Sequence, residues 1–242
     1  MKTRARKRVV PSRVEKGLTE QKVIAAALEH IDTVGLARFS LRDVARALDV
    51  YPTAVYWYVK TRDELLGRVV AYATSDVAPP ATSANWRADL REMFTRYRRA
   101  IQQHPNIAPL IGTQLRANGG IRADLIEGLL SLLVTAGFSD EQLVDAYNVI
   151  IGALVGFITQ ELAAMPSENP AKWAETHRKR VSTLDVMEYP TLARYLPKLA
   201  NKAFIMRWSN GVEVPLDSSF DMFVDVIISG LEQKLKSPPD RV

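Results

Sequence analysis

The stretch between Ser40 and Tyr58 most constrains what this chain can fold into, because two short apolar stripes at helical spacing meet there across a tight turn. Ser40 opens Ser-Leu-Arg-Asp, a cap residue with a carboxylate three positions on. Leu41, Val44, Ala45 and Leu48 then supply the inner stripe of a first short helix. Only three residues separate Ala47 from Tyr51. Pro52 suits the first turn of the next helix, where its missing N–H would be unpaired anyway. The pattern predicts a second helix over residues 51–58, and two short helices joined so tightly make a helix-turn-helix.

In that motif the second helix enters the major groove of DNA. Its inner face needs Val55 and Val59 to pack on Val44 and Leu48, which leaves Tyr51, Pro52, Thr53, Tyr56 and Trp57 outward. Rings this dense are normally buried, yet so short a helix cannot bury a full circle of large side chains. The Trp57 ring has two destinations: against a neighbouring helix, or into a groove, where rings can meet thymine methyl groups. Arg42 likewise is either a solvated surface charge or a base contact. Lys60 and Arg62 lie just past the helix, where a phosphate would sit.

The flanking segments also read as helices. Thr19 caps a stripe of Val23, Ile24, Ala27, Leu28 and Ile31 that stops at Gly35, and Thr61-Arg62-Asp63-Glu64 is a capping box for a helix over 63–73. Ala78-Pro79-Pro80 marks a boundary. Beyond it, helices are expected over 86–103, 121–135, 140–164 and 218–236, with mixed, Pro-interrupted sequence over 169–199. The segment from Ile150 to Phe157 is apolar nearly all round and must be covered on most sides. Val212 and Val214 alternate too briefly for a strand. The expectation is an all-α chain: a basic arm over 1–18, a three-helix helix-turn-helix DNA-binding domain over 19–76, and a helical bundle over 77–237, the part to which the resemblance named below assigns ligand binding and dimerisation.

Charge separates these parts. Residues 1–75 carry 14 Lys and Arg against 8 Asp and Glu, while 76–242 carry 18 against 19, so the excess of +5 comes entirely from the first third. With no cysteine and three scattered His, thiolate and structural zinc sites are excluded, and no metal or cofactor is expected. No apolar run of membrane-spanning length stands out, and MKTRARKRVV lacks the apolar core of a secretory signal, so a cytoplasmic protein without a membrane partner is expected. Nor is there a Ser-His-Asp spacing, paired carboxylates or a phosphate-binding Gly loop, which argues against an enzyme.

Phe39 to Val50, followed by Val55 to Leu66, resembles the DNA-binding domain of the TetR family of repressors, with Tyr56, Val59, Arg62 and Leu65 in its characteristic tail. Ala136-Gly137-Phe138-Ser139, the long helix after it and Ser229 to Lys236 resemble the C-terminal domain of the tetracycline-repressor branch. The interval from about 168 to 215 matches poorly. The resemblance implies Ser40 at a phosphate, Arg42 near a base edge, Tyr51, Pro52, Thr53, Tyr56 and Trp57 in the groove, and Lys60 and Arg62 on the backbone. Asp49 stands where the family has Gly, and Tyr51 where it has Ser, which removes a side-chain cap and reads as a specificity change.

The resemblance further implies a homodimer on double-stranded operator DNA, joined through the helices at 140–164 and 218–236. Gly152 and Gly156 lie on one helix face, and Phe220, Phe223 and Ile227 offer apolar area that one subunit is expected to leave uncovered. It also implies an effector cavity, for which Met93, Tyr97, His104, Gln114, Asn118, Asn148 and Gln160 are the candidate contacts. Family members that sense tetracycline hold its magnesium with a His and a Glu; Leu110 and Gln160 stand at those positions, so a metal-free hydrophobic or aromatic effector is expected. A small helical enzyme and a helical adaptor without DNA binding are the competing readings.

Overall fold

The computed structural model describes residues 17–80, 84–113, 122–163 and 168–236, with the side chains of 112–113 left aside. Among them are helices α1 (Glu20–Val34), α2 (Leu41–Ala47), α3 (Pro52–Tyr58) and α4 (Arg62–Ala73) in the N-terminal third. There follow α5 (Trp86–Gln103), α6 (Ala108–Thr113), α7 (Ala123–Ala136), α8 (Asp140–Glu161), α9 (Pro170–Ser182), α10 (Pro190–Leu199) and α11 (Asp217–Lys236). The described residues contain no strand. The basic arm, apart from residues 17–18, lies outside them, as do Gln114 and Asn118.

Helix starts follow the side-chain caps written in the sequence. Thr19 accepts the Lys22 N–H at 3.2 Å, Ser40 that of Asp43 at 3.2 Å, and Thr61 that of Glu64 at 3.1 Å. Each bond satisfies a donor that the helix itself leaves unpaired. Tyr51 makes no side-chain cap, so α3 begins on Pro52 alone. Asp49 takes the left-handed conformation, φ +52°, at the turn where a Gly is the usual solution.

α1 packs on α2, α3 and α4, burying Val23, Ala27 and Ile31 with Val44, Val55, Val59, Leu65 and Leu66. In the C-terminal half α5 packs on α7, α8 and α11, and α6 bridges α4 to α8. Pro79 crosses α7 at Gly128, where a Cβ would stand 2.7 Å from the Pro79 carbonyl oxygen. The helix at 108–113 was not apparent from the sequence, and the mixed region resolves into α9 and α10, which bury only Val181.

α8 corrects two expectations. By length and composition Asp140–Glu161 is apolar enough to cross a membrane, so such a run does exist. Its inner face, Ala146, Ile150, Leu154, Phe157 and Ile158, lies in the helical core. The helix is covered on that side only: Val149, Gly152 and Gly156 are exposed.

At the end of α8 the core holds a group of charges that the sequence did not announce. Glu161, fully buried, accepts Arg98 Nε at 2.8 Å and Nη2 at 2.6 Å, and the Leu216 backbone N–H at 2.9 Å. Arg98 also reaches Asp217 at 2.9 Å and lies over the Phe220 ring. Burial would lower the Arg98 pKa, but the hydrogen bonds and charges of Glu161 and Asp217 together more than offset it. Arg207 donates to the Ser209 and Val214 carbonyls and is held below its ordinary range by burial. Gly211 passes so close that a Cβ would clash with Glu161.

Candidate nucleic-acid interface

The N-terminal face is built by α2 and α3. With Ala54, Val55 and Val59 turned inward, the opposite side of α3 is exposed: Tyr51 at 74%, Tyr56 at 47% and Trp57 at 84%, with Pro52 and Thr53 beside them. The tryptophan ring is therefore not tucked against α1 or α4. Tyr58, one residue on, is the ring that turns back, its hydroxyl donating to the Leu18 carbonyl at 2.7 Å.

Around this surface the polar candidates differ in how free they are. Arg42 is exposed. Ser40 is committed to its own helix, donating to Asp43 Oδ2 at 2.8 Å while accepting the Asp43 N–H, and that hydroxyl holds the Asp43 carboxyl below its ordinary range. A phosphate at Ser40 would have to displace Asp43. Lys60 is exposed, and its backbone N–H donates to Glu64 at 2.8 Å. Arg62 is exposed but turned onto its own chain, donating to the Leu36 carbonyl at 3.2 Å with its guanidinium over Phe39.

The candidate effector residues are divided. Met93 and Tyr97 are buried on the inner face of α5, and burial pushes the Tyr97 phenol well above its ordinary range, with the Arg122 charge opposing. His104 does not face that interior: its Nδ1 lies 2.7 Å from Asp32 Oδ2, across the junction on α1. Asn148 and Gln160 are exposed on the outer side of α8, because the inward phase of the helix is taken by Ile150, Leu154 and Phe157. A cleft of about 630 Å³ does lie at the junction, lined by Ser75, Asp76, Arg96, Arg99 and Gln103 among others, and none of the five candidates within the described residues lines it.

The dimer candidates divide too. Phe220 is 3% exposed, enclosed by Arg98 and Phe157, so it is covered within its own chain. Phe223 stacks on Phe157 at 4.9 Å between centroids, and Ile227 packs against the same core. What α11 shows outward is Met222 and Val226, with Gly230. Gly152, Gly156 and Gly230 have nothing of their own chain where a Cβ would stand.

The junction contains residues that sequence reasoning missed. Asn106 donates to the Ile31 and Asp32 carbonyls, both at 3.0 Å, at the end of α1. Arg122, just ahead of α7, donates to the Thr74 carbonyl at 2.9 Å and hydroxyl at 3.1 Å at the end of α4. Their partners are backbone atoms far away in the chain, so no spacing reveals them.

Residues 23–69 match the model of the tetR family of bacterial regulatory proteins, and 78–235 match the tetracyclin repressor-like C-terminal domain. The chain belongs to the TetR family of transcriptional regulators. This TetR-family chain is 31% identical over 193 residues to the HTH-type transcriptional repressor DrrR1 of Streptomyces coeruleorubidus, covering 76% of this chain and 71% of that one. Across the curated relatives it matches, the chain spans 60% to 72% of their length. The crystal structure of BioQ with its double-stranded DNA operator superposes with a TM-score of 0.53 at 30% identity, over 60% of this chain and 88% of that one. ActR of Streptomyces coelicolor in complex with (S)-DNPA superposes with a TM-score of 0.67, over 90% of this chain and 98% of that one. At 23% identity, that likeness is one of fold.

Proposed function

We propose that this protein is a transcriptional repressor that binds operator DNA as a homodimer and is released by a small hydrophobic or aromatic effector. The observation that carries the reading is the outward aromatic face of α3: Trp57 and Tyr51 are large, apolar and without cover from their own chain. On a helix-turn-helix, rings so placed meet thymine methyl groups, while Thr53 reaches a base or phosphate and Arg42 a base edge. The basic N-terminal third supplies the sequence-independent attraction to phosphate. The repressor named among the relatives and the operator-bound BioQ structure support the same use of this domain.

One recognition helix reads too few bases for useful specificity, and a two-fold pair reads two half-sites. The outer faces of α8 and α11 suit that pairing. Glycine inside a helix costs about 1 kcal/mol relative to Ala, yet Gly152, Gly156 and Gly230 serve no packing within the chain. A second copy of the same two helices, brought close over these glycines with Val149, Met222 and Val226 between them, accounts for all three. Asn148 and Gln160 then belong to this seam rather than to the effector.

For the effector, Met93 and Tyr97 offer an apolar wall with one phenol, and Leu110, also buried, cannot bind a metal. The ligand-bound ActR fold is consistent with a small molecule in this half. The test begins with a duplex selected by the protein from a random pool. Affinity should fall steeply with salt, and Arg42→Ala should weaken binding by roughly 1–3 kcal/mol with specificity relaxed at one position. Equal affinity for every sequence would sink the repressor reading, and a panel of aromatic compounds that neither raises the melting temperature nor releases the duplex would sink the effector.

A further inference from the structure

The DNA-reading third is fastened to the rest of the molecule at the ends of its two long helices. At the end of α1, Asn106 holds the Ile31 and Asp32 carbonyls and His104 meets the Asp32 carboxylate. At the end of α4 the carbonyls are held by Arg122. Arg122 Nη1 donates to the carbonyls of Ala71 at 3.3 Å and Thr74 at 2.9 Å and to the Thr74 hydroxyl at 3.1 Å, and Nη2 reaches the Ser75 carbonyl at 3.4 Å. The other edge of the guanidinium is held by Asp124 in the first turn of α7, with Nε donating at 2.8 Å.

A helix C-terminus presents unpaired carbonyls and the negative end of the helix dipole, so a cation donating to several of them is a strong cap. Here the cap comes from a different part of the chain. The Arg122 side chain is only 18% exposed, and Thr74 is 4% exposed, so water competes poorly for these carbonyls. Arg122 also lies in the electrostatic neighbourhood of the buried Tyr97 on α5. It therefore ties the end of α4 to the start of α7, with its charge close to the wall assigned above to the effector.

We propose that Arg122 is the positioning residue that sets the tilt of α4, and through it the recognition helix α3, relative to α7. The proposal rests on the repressor reading for its purpose but not for its geometry. Twelve helical residues make a lever about 18 Å long, so a tilt of about 10° at the clamped end displaces the α3 end by about 3 Å. Because α1 is held separately by Asn106, a shift at Arg122 turns α4 against α1 rather than carrying the whole domain along. A shift of a few ångströms is enough to spoil contacts that depend on hydrogen-bond geometry.

The chain contains no cysteine, so spin labels can be placed cleanly in the full-length protein. Labels on Thr53→Cys and Glu127→Cys, both exposed positions, report the α3-to-α7 distance, and labels on Glu29→Cys and Glu127→Cys report α1 to α7. Labelled chains are diluted into unlabelled ones, and no DNA or effector is added. In Arg122→Gln the α3-to-α7 distribution should shift or broaden by about the 3 Å that the lever predicts, with the α1-to-α7 distribution unchanged. Arg122→Lys, which keeps the charge but cannot span the Thr74 and Ser75 carbonyls, should show the same change and stands in if the Gln variant fails to fold. Distributions superimposing on those of the parent overturn the proposal, and so does an equal change at both label pairs, which indicates general loosening. Either result leaves the DNA-binding reading to stand or fall on the selected duplex.

Discussion

Two helices of this molecule carry large apolar side chains to opposite ends. On α3, seven residues long, Tyr51, Tyr56 and Trp57 stand outward, and Trp57 is 84% exposed. On α11, twenty residues long, Phe220 is 3% exposed and Phe223 stacks on Phe157. From sequence both sets looked like surfaces waiting for a partner. The difference is length and neighbourhood: α11 lies along both α5 and α8, which close over its rings, whereas α3, among the described residues, packs mainly on α2 and α1 and has one side to hide. Unburied rings on a short helix point to a partner. The same rings on a long helix with two neighbours point to a core.

The largest effect that sharpens this contrast belongs to the covered end. Glu161→Gln leaves Arg98 and Arg207 with too little negative charge in the interior, and breaking a buried pair in this way costs about 3–5 kcal/mol. Chemical denaturation should show the loss, and a change below about 1 kcal/mol would mean that water reaches the cluster. On the outer side of the same helix pair, Val226→Asp should separate the proposed dimer with little change in secondary structure. Sedimentation at micromolar protein reads it directly, and an unchanged mass would move the interface away from the α8 and α11 seam. At the uncovered end, Trp57→Ala should weaken binding to the selected duplex by about 1–3 kcal/mol. Its folding stability should stay within about 0.5 kcal/mol of the parent, as expected of an exposed site. A large stability loss there would show that the ring is covered in solution.

What could be read from the sequence follows the same division. Caps, the Ser40 to Tyr58 turn and the left-handed Asp49 were legible because each is decided within about four residues of chain. The outward face of α3 was legible because Val55 and Val59 fix the helical phase. The interior of the C-terminal half was less so. His104 is drawn to Asp32, 72 residues earlier, and Asn148 and Gln160 turn outward because the inward phase of α8 belongs to Ile150, Leu154 and Phe157. A polar residue on an apolar helix gives no sign of which side it takes until that phase is fixed by packing. Arg122 and Glu161 escaped for a related reason: both act on groups that only tertiary structure brings near.

The smallest effect concerns the joint between the two ends. The hydrogen bond from Arg122 holds the Asp124 carboxyl down at about 2 against an ordinary 3.8, with slight burial opposing. A carboxyl depressed in the folded state binds its proton more readily when the chain unfolds, so the pair stabilises the fold above the ordinary value and the contribution is lost as pH falls from 3.8 through about 2. Asp124 is more than half exposed, so solvent screens much of this, and the gain is well below that of the Glu161 cluster. Asp124→Asn should flatten that part of the acid-unfolding curve followed by circular dichroism and, above pH 3.8, lower the stability by a small constant amount without changing its pH slope. Were the parent and variant curves to coincide at every pH, Asp124 would not be holding the guanidinium, and the grip on α4 would rest on the bonds to Ala71, Thr74 and Ser75 without it.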